Sequence, residues 1–154
     1  SALGFGTATG WAQGGIAAAM GAADAADLHA AATEAAGAGL PEPDGAPRVA
    51  QEGPALIDWL VRIGAPFARA DDGALALGRE AAHGRRRIVR SGGDATGARV
   101  LEGLVRAVLE APSVEIVTAR ACGLLRDTNG AVAGIVAERD GALFRIPARA
   151  VVLA

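Results

Sequence analysis

The sequence predicts an α/β fold, and three observations lead there. Helical composition or spacing marks three segments before Pro112. The last third turns to strands separated by Asn129-Gly130 and Asp140-Gly141, dipeptides that favour tight hairpin turns because they tolerate positive φ. The closing run, Ala150-Val151-Val152-Leu153-Ala154, is continuously apolar and suits a strand buried on both faces.

From Gly15 to about Ala36 the chain is Ala-rich and helical in composition, with Asp24, Asp27, His29 and Glu34 on polar faces. Gly37-Ala38-Gly39 ends that helix, and Leu40 to Gly45 reads as a turn-rich connector. A second helix is expected from about Pro47 to Ile63, with Val49, Leu56, Ile57, Leu60 and Val61 as its apolar stripe. Trp59 is expected in that interface, and Gly64 is a natural C-terminal stop. Pro66 to Arg90 is loop-rich apart from a strand-like Arg87-Ile88-Val89-Arg90. A third helix opens at Asp94-Ala95-Thr96-Gly97, where Asp94 or Thr96 can accept a bond from an orphan N–H. Val100, Leu101, Leu104, Val105, Val108 and Leu109 form its apolar face, and Pro112 breaks it. Strands follow at Val114–Val117, Ala121–Arg126, Val132–Glu138 and Leu143–Ile146. Helices, a strand, an antiparallel meander and a buried strand, in that order, suit an α/β nucleotide-binding domain with an appended three-stranded layer.

Composition narrows the function. A chain of 154 residues sits near the size of one domain and is long enough to bury a core. A net charge of -2 gives no basic footprint for nucleic acid, and 3% aromatic residues supply few stacking platforms. The single cysteine, Cys122, excludes an internal disulfide and any multi-thiolate zinc site, consistent with a reducing cytoplasm. No apolar stretch reaches the roughly 18–20 residues of a membrane span. The first residues lack the pattern of a signal peptide, so a soluble cytoplasmic chain is expected, without nucleic-acid or membrane partners.

The most informative motif is Thr9-Gly10-Trp11-Ala12-Gln13-Gly14-Gly15-Ile16-Ala17-Ala18-Ala19. Small residues let a backbone approach a flat ligand closely, and Gly14 and Gly15 can take positive φ without a Cβ penalty. Consecutive N–H groups leading into a helix start can meet a pyrophosphate. An ordinary loop feeding a buried helix would have the same composition.

That run, together with the blocks that follow it, resembles the L-aspartate oxidases and, more distantly, the fumarate reductase and succinate dehydrogenase flavoproteins. The blocks are Asp24, His29, Thr33 and Ala36-Gly37-Ala38-Gly39-Leu40; Leu56-Ile57-Asp58-Trp59-Leu60 with Gly64 and Phe67; and Arg79-Glu80-Ala81-Ala82-His83 with Arg86-Arg87-Ile88. Gly93-Asp94-Ala95-Thr96-Gly97 and Ala148-Arg149-Ala150-Val151-Val152-Leu153-Ala154 complete the series. The likeness runs from about Gly6 to Ala154 in the family's order.

The resemblance implies an incomplete FAD-binding, Rossmann-like domain over residues 1–154 with a β-meander at 119–147. Ala8, Thr9, Gly10, Trp11, Ala12, Gln13, Gly14 and Gly15 are similar to the stretch lining the flavin and its pyrophosphate. Ala121 and Cys122 match positions whose backbone meets the adenine end. For Cys122 a small buried hydrophobe is the competing reading. Glu80 matches the carboxylate that orients L-aspartate, since a Glu can pair with an α-ammonium. A surface Glu paired with Arg79 or Arg85 is the alternative. The implied reaction oxidises L-aspartate to iminoaspartate with hydride passing to flavin N5 and oxygen or fumarate as acceptor, in NAD biosynthesis alongside quinolinate synthase. No catalytic residue and no metal ligand is expected within the chain.

His83 is open to a general-base reading or a structural one, and Arg85-Arg86-Arg87 to an anion clamp or a solvated basic turn. His29 is expected on a helix face without chemistry. Departures from the family inform too. Ala8 stands where many relatives in the dicarboxylate branch carry a flavin-linking histidine, so FAD is expected to be non-covalent. Ala81-Ala82 replaces a Gly-Gly pair, and Gly84 takes a place usually filled by a hydroxyl. Gly4-Phe5-Gly6 does not begin a dinucleotide fingerprint, because Thr9 stands at the third glycine's place and no strand precedes it. The N-terminal βαβ unit and the capping domain are therefore expected to be missing, as in an internal fragment. A fumarate reductase or succinate dehydrogenase fragment, and an inert truncated chain, are the competing expectations.

Overall fold

A computed structural model describes residues 3–4, 6–80 and 82–154; Phe5 and Ala81 of the motifs above lie outside these. The chain divides into two compact units, Ser1–Pro112 and Ser113–Ala154.

The first unit strings α1 (Ala8–Trp11), β1 (Ile16–Ala17), α2 (Ala26–Gly37), α3 (Gly45–Arg62), β2 (Leu77–Gly78), β3 (Ile88–Val89) and α4 (Thr96–Glu110). Its sheet has the order β1-β3-β2, all antiparallel, with Ile16 opposite Val89 on one side and Leu77 opposite Val89 on the other. Segments far apart in sequence thus meet on the short strand expected at Arg87–Arg90. The core gathers on it: Ala18, Ile57, Ala65, Phe67, Val89 and Val100 are buried together.

The helix expected from Gly15 starts only at Ala26. Ile16 and Ala17 instead pair with β3, and the Ala18 N–H donates to Arg87 O at 2.9 Å. Alanine's helix preference is worth a few tenths of a kcal/mol per residue. Ladder pairing plus complete burial of Ala18 outweighs it. At its end the helix stops where expected: Ala38 is left-handed at φ 48° and Gly39 follows at φ 87°.

The second helix is found, but its buried stripe differs. Ala46, Ala50 and Ile57 are buried, with Gly53 on the same face near Ala18. Val49, Leu56 and Trp59 are exposed, Trp59 at 42%. A stripe of small residues brings the helix close to Ala18 and α2, while Leu60 and Val61 of the expected stripe are half-buried against the core. Ile57 is the anchor; truncating such a buried side chain costs about 2–5 kcal/mol. The stop at Gly64 has φ 86°, and Arg106 donates to the Ile63 and Gly64 carbonyls at 3.3 and 3.0 Å, satisfying a helix end.

The third helix, α4, buries Thr96, Gly97, Val100 and Gly103, while Leu109 is exposed. Neither Asp94 nor Thr96 caps it. Thr96 Oγ1 is engaged elsewhere, accepting from the Ser91 N–H at 3.1 Å, which ties the helix start to the end of β3.

In the second unit β4 (Arg120–Arg126), β5 (Val132–Arg139) and β6 (Ala142–Pro147) form the antiparallel meander in sequence order. Asp140 and Gly141 both take positive φ, 54° and 80°, as a two-residue primed turn requires. In the other hairpin only Gly130 does so, and the Asp127 carboxylate accepts from the Asn129 and Ala131 N–H groups. Val114–Val117 forms no strand, and Ala150–Ala154 pairs with no described residue, leaving Val152 89% exposed. Alternation and apolarity mark a capacity for strand, but a strand exists only where a neighbour supplies ladder bonds. No helix among the described residues is long and apolar enough to cross a membrane.

Candidate functional site

The opening motif folds as a short turn of helix followed by an exposed connector. Thr7 caps α1, its Oγ1 accepting from the Gly10 N–H at 3.3 Å, and the Ala12 N–H returns to Thr9 O at 3.2 Å. This turn lies on the start of α4. The Gly97 N–H donates to Ala12 O at 2.9 Å, and a Cβ on Gly97 would come within 2.8 Å of that oxygen. Two sequence blocks of the motif series are thereby joined, with Gly97 making the close approach possible. Trp11 is 80% exposed beside a cleft of about 500 Å³ that Leu101 and Val105 also line.

Gly14 and Gly15 do not take positive φ, and they lead into β1 rather than into a helix. The expected helix-start contact with a pyrophosphate therefore has no basis at this point. Gly15 is required for a different reason: a Cβ there would meet Val89 O at 2.6 Å and Arg90 Cγ at 2.8 Å. Gly14 faces open space, and its N–H and that of Gln13 bond to no described residue. Ala8, Thr9, Ala12 and Gln13 are exposed as well. Apart from Trp11 and Gln13, the segment keeps what a flat ligand needs: small side chains, accessible backbone donors and a seat on α4.

Glu80 pairs with Arg90, whose Nη2 donates to Glu80 Oε1, and not with Arg79 or Arg85. Both side chains are about two-fifths exposed. Arg90 lies across Gly78, where a Cβ would stand 3.2 Å from its Nε. That Nε is buried without a partner among the described residues. Arg90 escaped sequence reading. Period-two spacing puts it on one face with Ile88, yet nothing in that pattern marks where a long side chain ends.

The triple arginine separates into distinct roles. Arg87 is 1% exposed and grips Asp24 twice, Nη2 to Oδ1 at 2.7 Å and Nε to Oδ2 at 2.9 Å. It is neither an anion clamp nor a solvated turn residue, and Asp24 is not on a free polar face. Arg85 donates to Ala23 O, and Arg86 is exposed.

His29 is buried rather than set on a polar face. Its ring meets the edge of His83 at 5.5 Å between centroids, and neither Nδ1 has a partner among the described residues. Burial lowers the pKa of His29 below its ordinary value, the Arg87 and His83 charges add to that, and Asp24 opposes it. His83 is held beside Glu80 by its N–H, which donates to Glu80 O at 3.1 Å.

In the second unit Ala121 and Cys122 are exposed on β4, and the register with β5 shifts between Ala121 and Gly123, so Cys122 sits at a bulge. The small buried hydrophobe is thus set aside: the residue occupies a strand face without cover from its own unit. Among the described residues no cluster of His, Cys, Asp or Glu suits a metal ion.

Residues 2–154 match the family described as FAD binding domain. The chain belongs to that FAD-binding family. Similar members include the L-aspartate oxidase of Caulobacter vibrioides, 45% identical over 153 residues, 99% of this chain and 30% of that enzyme. The L-aspartate oxidase of Mesorhizobium japonicum is 43% identical over 143 residues, 93% of this chain and 28% of that enzyme. Among solved structures, E. coli quinol fumarate reductase FrdA aligns with a TM-score of 0.87 at 30% identity, over 95% of this chain and 25% of that one. The chain spans about 30% of the length of the curated relatives it matches. These likenesses bear out the FAD-binding fold, the flavoprotein oxidoreductase family and FAD as the family's cofactor. The exposed, small-residue backbone of Ala8–Gly15 fits such a group.

Proposed function

We propose that this chain forms part of an FAD-dependent L-aspartate oxidase, in which Ala8–Gly15 seats the flavin and Glu80 receives the substrate's α-ammonium. The observation that carries it is the Glu80–Arg90 pair. Arg90 pairs with Glu80, and its stem takes the space that a Cβ on Gly15, the glycine that ends the flavin segment, would fill, so the two candidate subsites share one side chain. An exposed ion pair contributes only about 0–1 kcal/mol to stability, so fold maintenance is a weak reason for it. Ala121 and Cys122 are proposed as a further backbone contact for FAD.

When bound, FAD would supply the two-electron acceptor; the chain's own residues bind and orient. Gln13 and Gly14 offer N–H donors, and Ala8 has no nucleophile to offer, so the flavin is held non-covalently. Glu80 favours an amino acid over a plain dicarboxylate by pairing with a cation that the latter lacks. Iminoaspartate production would place the protein ahead of quinolinate synthase in NAD biosynthesis, in the cytoplasm.

A second reading, a fumarate reductase or succinate dehydrogenase flavoprotein, draws on the structural likeness to FrdA. The two separate on one experiment. The flavin-loaded full-length protein that carries this chain is mixed with L-aspartate or succinate while flavin bleaching and peroxide are followed. Aspartate-dependent bleaching and peroxide, weakened more for aspartate than for succinate by Glu80→Gln, is the expected result. Succinate-only turnover would favour the second reading, and equal effects of Glu80→Gln on both substrates would remove the role of Glu80.

A further inference from the structure

We propose that Arg90 is a specificity-determining partner of Glu80, and that the two together read the zwitterionic head of an α-amino acid. This rests on the substrate reading of Glu80 given above and adds a residue and a selection rule to it.

The placement of Arg90 is unusual for a surface arginine, because two strands leave room for it. Its stem passes Gly15, the residue that leads into β1, where a Cβ would lie 2.8 Å from Arg90 Cγ. Its head crosses β2 at Gly78, where a Cβ would lie 3.2–3.4 Å from Nε, Cζ and Nη2. Both strands flank β3, directly before Arg90. Arg90 therefore lies flat across the sheet on a floor of two glycines, and its guanidinium arrives at Glu80 with its direction already set.

Charge then decides what the pair selects. Glu80 alone would attract any cation and repel any anion. With Arg90 in contact the pair is electrically neutral, and donor and acceptor stand side by side. Nη2 occupies Oε1 of Glu80, which leaves Oε2 for an ammonium. The guanidinium has five N–H groups in a planar fork, so N–H groups remain for a carboxylate. An α-ammonium and α-carboxylate on one carbon match that side-by-side arrangement. A plain dicarboxylate meets the repulsion of Glu80, and a bare amine meets that of Arg90.

The test is ligand binding to the flavin-loaded full-length protein that carries this chain, by titration calorimetry with L-aspartate, succinate and β-alanine, in the unaltered protein and in Arg90→Met, Arg90→Lys and Glu80→Gln. Arg90→Met should weaken L-aspartate about tenfold, the scale of one charge-assisted contact, and should narrow the preference for L-aspartate over β-alanine. Glu80→Gln should narrow instead the preference for L-aspartate over succinate. Arg90→Lys should recover part of the loss. Gly78→Ala, which displaces the Arg90 head without a backbone penalty, should shift selectivity in the same direction as Arg90→Met and by less. If Arg90→Met weakens all three ligands equally, or none, while Glu80→Gln acts as expected, Arg90 has no part in selection and the proposal falls with the Glu80 reading intact. If Glu80→Gln is without effect, the underlying reading fails first. Flavin occupancy, measured on each variant, separates either outcome from loss of fold.

Discussion

Asp24 and Arg87, distant in sequence, form a two-point ion pair in which both side chains are at most 3% exposed. Removing one partner would leave the other charged, buried and unpaired, at a cost of about 3–5 kcal/mol. Arg87→Met and Asp24→Asn should each lower the urea midpoint sharply. The double replacement should cost clearly less than the sum of the two. Additive losses in that cycle would mean the contact is not energetically coupled.

Gly97→Ala should damage the fold and the proposed flavin seat together. The added Cβ would reach the backbone of Thr9 and Ala12, atoms that cannot swing aside as a side-chain tip can. Overpacking of this kind costs about 1–3 kcal/mol. The variant should melt lower and hold FAD more weakly. Gly14→Ala, facing open space, is the control: it should change the unfolding free energy by no more than about 0.5 kcal/mol.

Acid should weaken the fold through His29. Its pKa is lowered by burial first, then by Arg87 and His83, from an ordinary value of 6.5. In the window below that value the unfolded chain takes up a proton that the folded one refuses. This contribution to stability is therefore complete above about pH 6.5 and is lost as pH falls through the lowered folded value. His29→Gln should show a smaller drop in urea midpoint between about pH 7.5 and about pH 5.5 than the parent protein. An equal drop in both would assign the acid sensitivity to other groups.

Cys122 is exposed at a β-bulge, its Sγ only 3.4 Å from Arg120 O. A maleimide should label it fully without denaturant. Saturation with FAD should slow that labelling several-fold if its backbone meets the cofactor, and unchanged kinetics would remove Cys122 from the flavin contact.

The legible parts of the fold were those settled locally. Asp140-Gly141 fixes its hairpin because both residues take the positive φ that the turn demands, and Gly64 and Gly39 stop helices for the same reason. Glu80 and the stretch Ala8–Gly15 were legible as candidates because small, charged and glycine positions fell in a family's order. What stayed hidden depends on distant partners. Ile16 is a strand only because Val89 lies beside it, and Ala150–Ala154 is not one because nothing described does. The seam of α3 runs through Ala46, Ala50 and Gly53, residues whose small size gives little apolar signal but permits close packing. Arg87 and Arg90 look alike in sequence, yet one is buried on Asp24 and the other lies open toward Glu80.

Strand β3 is paired on both sides, receives the Ala18 N–H at Arg87 O, and is tied through Ser91 to Thr96. On the ribosome this sets an order of events. Ile16 and Ala17 leave the exit tunnel long before the strand they need, so that end of the chain must wait, unpaired, until Val89 has been synthesised. Long-range closure of this sort slows folding. The nascent chain therefore carries its proposed flavin segment without its pairing partner for some seventy residues of synthesis, and a segment exposed for that long is open to a chaperone or a protease.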